Sequence, residues 1–190
     1  MSTREHLYSV VASVQPVIHG VSAQEMDADT PCPDFDVRQV ANHMLGTIEA
    51  MRRVGASEPL DPQDPWGTNG DNVRETWRED LSHLLVGFAN AWSQPEAWEG
   101  EAMDGAMPRQ MVGDMGFVEV MLHGWDLAKG SKQSVEYDDA AVERALEILD
   151  TIGEQGRSGG AFGPEVKVDD DAPAFARVLG KSGRDPEWSA

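Results

Sequence analysis

The chain has 190 residues, with 34 acidic against 15 basic side chains and a formal net charge of -19. That length fits one domain with a tail or a small second lobe, large enough to fold without disulfide or metal support. The charge speaks against nucleic acid and anionic membranes as partners, since both are recognised by clustered Lys and Arg. The single cysteine, Cys32, excludes an internal disulfide framework and a zinc ribbon.

No apolar run approaches the roughly 20 residues of a membrane span, and the mean hydropathy is -0.44. The start of the chain has no basic region followed by an apolar stretch, so no signal peptide is expected. A reducing, cytoplasmic setting is the expectation.

From Glu5 to Val21, Leu7, Val10, Val14, Val17 and Val21 recur at helical steps, with Pro16 a kink candidate. The turn formers Asp29 to Asp34 follow, and Asp36 is the expected N-cap of a second helix. That helix carries Val37, Val40, Ala41, Met44, Ile48 and Met51 on one stripe. Prolines and glycines from Pro59 to Gly70 mark a loop. A third helix is predicted over about Asp71 to Trp92 and a fourth over about Arg109 to Lys129, with Gly130 as its stop. A fifth is predicted over about Asp138 to Gly153, and only a short helix over Pro173 to Leu179. No strand pair is evident. The expectation is an all-α four-helix bundle over residues 1–153, with a further helix and an irregular extension, 154–190, packed on or beside it.

The fourth helix holds the most informative residues. Glu119 and His123 are four apart and therefore neighbours on one face. With Met115 as the centre of the apolar stripe, Leu122 and Asp126 fall within about 20°, Glu119 at about 40° and His123 at about 80°. Buried carboxylates are costly unless paired or bound to a metal. An isolated E-x-x-x-H is nevertheless common and is often a surface pair. A catalytic zinc site takes three protein ligands and an open position. His43, on the shoulder of the second helix's stripe, is the leading third candidate. His83 lies off its helix's stripe, His6 sits at a fraying end and His19 has no acidic partner in its own turn. Asp126 could support a ligand from behind or pair with an arginine. Trp125 reads as packing, Cys32 as structural and Asp169 to Asp171 as a solvated turn.

The segment Thr30-Pro31-Cys32-Pro33-Asp34-Phe35-Asp36-Val37, continuing to His43, resembles the T-P-C-P-x-[WF]-x-V signature of the mycothiol-dependent maleylpyruvate isomerase family. Glu119 to Leu127 is similar to that family's E-x-x-x-H-x-W-D-L. Ala161 to Val166, Asp170 to Pro173 and Gly183 to Pro186 resemble an uncharacterised metal-binding branch of it. The resemblance implies a DinB-like four-helix fold and a metal triad of His43, Glu119 and His123, with zinc the usual ion and mycothiol the usual thiol. Where the sequence departs from the isomerase, the larger C-terminal domain is expected to be absent or much reduced. The expected function is a thiol S-transferase or isomerase-like enzyme acting on a small thiol and an electrophile. The competing expectation is a metal- or ligand-binding protein without turnover.

Overall fold

The computed structural model describes residues 2–190. After a 3-10 turn at Thr3–His6, α1 spans Leu7–Gly20 and runs through Pro16. The other helices are α2 (Val37–Gly55), α3 (Trp77–Trp92), α4 (Arg109–Gly130), α5 (Asp139–Ser158) and α6 (Ala174–Lys181). α1 and α2 stand at opposite corners of a four-helix bundle, each packed against both α3 and α4. α5 lies on α4, and α6 packs on α5. The fold is all-α apart from one small antiparallel hairpin ahead of α4, β1 (Glu101–Ala102) with β2 (Met107–Pro108), which the sequence did not reveal.

Asp36 caps α2 as expected. Its side chain accepts from the Gln39 amide at 2.7 Å, and the Gln39 side chain accepts from the Asp36 amide at 2.9 Å, a reciprocal capping box. The third helix starts six residues later than predicted. Arg38 donates to Asp71 at 2.7 Å and the Asn72 amide donates to Asn42 at 2.6 Å, which holds this stretch against α2 in a non-helical path. α5 continues to Ser158, past the expected stop at Gly153, so residues 153 and 154 lie within a helix.

α4 differs most from its sequence reading. Val112, Phe117, Val118, Val120, Met121, Leu122, Leu127 and Ala128 are all buried, and they point in every direction around the axis. A helix enclosed on all sides has no single apolar stripe. Met115, the presumed centre of that stripe, is only half-buried and lines a cleft instead.

The loop between α2 and α3 is seated by direct backbone contact. A Cβ placed on Gly46 would come within 1.8 Å of the Gly67 carbonyl oxygen, and Gly67 has φ +68°, a conformation that favours glycine. This seat holds the neighbouring Trp66 over the cleft. Gly46→Ala is therefore expected to lift the loop and cost about 1–3 kcal/mol, the usual range for overpacking. Urea unfolding with tryptophan fluorescence measures both effects. An unchanged midpoint and spectrum would show that the loop does not depend on this contact.

Candidate metal centre

His43 lies in the second turn of α2, Glu119 and His123 in the middle of α4, where the two helices face each other. The Glu119 Oε2 oxygen is 3.1 Å from His43 Nε2 and 3.2 Å from His123 Nε2. One ligand atom from each residue falls within 4.8 Å of the others, and no other such group of three occurs among the described residues. The three side chains singled out from sequence are thus brought together. His19 and His83 are exposed and His6 is buried at the start of α1, so none of them joins the group.

Two imidazole nitrogens and one carboxylate oxygen form a donor set suited to zinc. In a tetrahedral zinc site, bonds of about 2.1 Å put ligand atoms roughly 3.4 Å apart. The observed Glu119–histidine separations are close to that, so the residues present fit a divalent cation.

Asp126 contacts both His123 and an arginine. Its Oδ2 lies 2.9 Å from His123 Nδ1, and the Arg184 guanidinium donates to the same carboxylate at 2.6, 2.9 and 3.1 Å. Burial works against the Asp126 charge. The adjacent Arg184 charge and the His123 hydrogen bond outweigh it and hold the carboxyl below its usual range. An ionised carboxylate only accepts, so Nδ1 of His123 carries the proton and Nε2 faces Glu119. This is the carboxylate–histidine arrangement that fixes ring orientation at metal sites.

Glu119 and His123 are tuned against each other. Burial alone would raise the Glu119 pKa, but the His123 charge and hydrogen bonds from both histidines hold it well below the carboxylate range. Burial likewise opposes a charge on His123, but Glu119 and Asp126 push its pKa up to about 9. In the protein alone, the pair is therefore carboxylate and imidazolium.

Phe35 closes one side of the centre, with its ring centroid 5.3 Å from that of His43 and 6.4 Å from that of His123. The Thr30 hydroxyl donates to the Phe35 carbonyl at 2.6 Å and the Phe35 amide donates to the Cys32 carbonyl at 3.1 Å, which sets the turn that delivers this ring. Cys32 itself is half-buried. Burial, then the Asp126 charge, push its thiol up to about 11. It should alkylate slowly with iodoacetamide at pH 8 in the folded protein and rapidly in urea, because the thiolate is the reactive form. Equal rates in both conditions would place it in an exposed, activated setting.

No motif or local pattern in the sequence points to Arg184 as a site residue. It lies beyond α6, 58 residues from Asp126, and only the demand of Asp126 for a buried cation hinted at it. Trp125, read as packing, meets Phe175 of α6 edge to face at 6.4 Å, and Asp169 to Asp171 are exposed.

A helical bundle with two histidines and a glutamate converging between α2 and α4 belongs to the all-α, DinB-like class. A family model, the mycothiol maleylpyruvate isomerase N-terminal domain, matches residues 11–128, more than half of the chain, and the protein belongs to that family. An uncharacterised protein from each of two Mycobacterium tuberculosis strains, H37Rv (Rv0738) and CDC 1551 (MT0763), is 26% identical over 170 residues. The match covers 88% of this chain and 90% of each relative.

The fold also resembles a crystal structure of a histidine-to-alanine mutant of mycothiol-dependent maleylpyruvate isomerase, with TM-score 0.59 and 16% identity. That match covers 96% of this chain and 91% of the other. No helix among the described residues is long and apolar enough to cross a membrane.

Proposed function

We propose that this protein binds one divalent metal ion, zinc in the first instance, through His43, Glu119 and His123, and uses it in thiol-transfer or isomerase-like chemistry with mycothiol. The carrying observation is the convergence of three ligand atoms within 4.8 Å at the edge of a cleft of about 540 Å³. Bound there, a divalent cation would favour the nucleophilic thiolate over the thiol at neutral pH. Asp126 would hold His123 in the tautomer that leaves Nε2 free, and Arg184 would keep Asp126 ionised. Phe35 would shield the centre on one side, while Trp66 and Phe162 would restrict water on the cleft side. Cys32, a thiol at neutral pH, has no part in this reading.

The test combines metal content with thiol consumption. Wild type and Cys32→Ser should carry about one equivalent of metal and consume mycothiol in the presence of a suitable electrophile. His43→Ala, Glu119→Ala and His123→Ala should lose both properties. Equal metal content in wild type and His123→Ala would sink the proposed ligand set. Metal binding without thiol consumption across a panel of electrophiles would favour a non-catalytic binding protein.

A further inference from the structure

The floor of the cleft is written in two helical ridges. On α4 the positions 111, 115, 119 and 123 follow one another at single-turn spacing and read Met, Met, Glu, His. On α2 the positions 43, 47 and 51 read His, Thr, Met. The ridges that supply the three converging side chains therefore continue away from them as methionine. Met107, from the hairpin, extends the same surface. Trp66 and Phe162 form its walls, with Phe162 lying across Gly156, where a Cβ would come within 2.4 Å of its ring. Beyond His43 and Glu119, the side-chain polarity in the lining is neutral, from Thr47, Thr68, Gln155 and the Trp66 indole.

The nearby guanidinium groups are engaged elsewhere. Arg184 is paired with Asp126, and Arg109 donates to the carbonyls of Val54, Gly55 and Ala97. Arg52 and Arg53 are held by Glu49, and Arg157 donates to the Lys181 carbonyl. With the open position of the proposed metal taken by the thiol, a carboxylate-bearing substrate would meet no Lys or Arg side chain in the lining, in a protein of net charge -19, and would be desolvated without a partner. Methionine and aromatic walls instead suit flat, polarisable apolar molecules, to which methionine can repack.

Resting on the thiol-transfer reading for its chemistry but not for its binding, we infer that the electrophilic cosubstrate is an uncharged, apolar molecule of aromatic size, seated on the Met107–Met111–Met115 surface. With an aryl chloride as that molecule, the thiol sulfur forms a bond to the ring carbon and the carbon–chlorine bond breaks. Chloride leaves with the electron pair and the thiol proton passes to solvent.

The test uses full-length, zinc-loaded protein and two neutral/anionic pairs. In fluorescence titration, 1-aminoanthracene should bind at least tenfold more tightly than anthracene-2-carboxylate. Met111→Glu should weaken 1-aminoanthracene at least tenfold, and Met111→Leu should stay within threefold of wild type. Met111 sits two turns, about 12 Å along the axis, from Glu119, so metal content should not change. Met107→Glu, outside the helix, is a second variant should Met111→Glu fold poorly. Mycothiol consumption with 1-chloro-2,4-dinitrobenzene should exceed that with 4-chloro-3,5-dinitrobenzoate. Equal or tighter binding of the carboxylate probe, or faster turnover of the benzoate, overturns the inference even if thiol transfer is established. Unchanged 1-aminoanthracene affinity in folded Met111→Glu and Met107→Glu also overturns it. Selective neutral binding with no thiol consumed would uphold the character of the cleft while defeating the enzymatic reading.

Discussion

Asp126→Ala is expected to destabilise the fold by about 3–5 kcal/mol, the cost of leaving a buried charge without its partner. Asp126 is fully buried and accepts from Arg184 and His123 together, and the Arg184 side chain is only 8% exposed. Removing the carboxylate strands the guanidinium in the interior, beside a histidine that has lost its orienting partner. Metal affinity should fall about 10- to 100-fold, as when other supporting carboxylates are removed from metal sites. The double variant Asp126→Leu, Arg184→Met should recover much of the stability, because matched apolar replacements of a buried pair are often tolerated. It should not recover the affinity. Urea midpoints for Asp126→Ala and the double variant decide the matter. A loss below about 1 kcal/mol for Asp126→Ala would mean that the pair behaves as a solvent-screened surface bridge.

That pair also marks where sequence reading reaches its limit. The helices α1 and α2 were legible because each has one apolar face against a polar remainder, and α2 carries its own cap at Asp36. Glu119 and His123 were legible because a four-residue step is a local geometric fact. His43 became a firm member of the set only through the family motif, since nothing local ties α2 to α4. α4 shows one apolar stripe in sequence but is enclosed all round, and Met115 lines the cleft instead of the core. The start of α3 was misplaced because Asp71 and Asn72 bond to α2, contacts no local pattern encodes. Arg184 was missed for the same reason, its partner lying on another element.

The second large effect is an opposite response to pH in metal-free and metal-loaded protein. Without metal, the His123 pKa is raised from 6.5 to about 9, so its contribution to stability is fully present below pH 6.5 and lost as pH rises through about 9. The Glu119 pKa is lowered from 4.5, so its contribution is present above about 4.5 and lost as pH falls through its depressed value. These are two views of one ion pair, which is at full strength between pH 4.5 and 6.5.

A cation must displace the His123 proton, so apparent metal affinity should rise about tenfold per pH unit across pH 6.5 to 8.5. Stabilisation by bound metal grows with that affinity. Between pH 6.5 and 9, the melting temperature should therefore drift down in chelator and rise with limiting zinc. In His123→Ala the two curves should run together. Parallel curves in the wild type would show that His123 does not exchange its proton for a metal.

The join between Asp126 and Arg184 also imposes an order of assembly. A chain emerging from its N-terminus presents Asp126 58 residues before the arginine that neutralises it. Until then, the bundle can gather its apolar helices only around a carboxylate that lacks its arginine and has His123 as its one partner. Water would be retained around α4, and the imidazole of His123 would lack its final bearing. Arrival of the segment after α6 supplies the guanidinium. The segment after α6 is thus the one that lets the middle of the protein become dry.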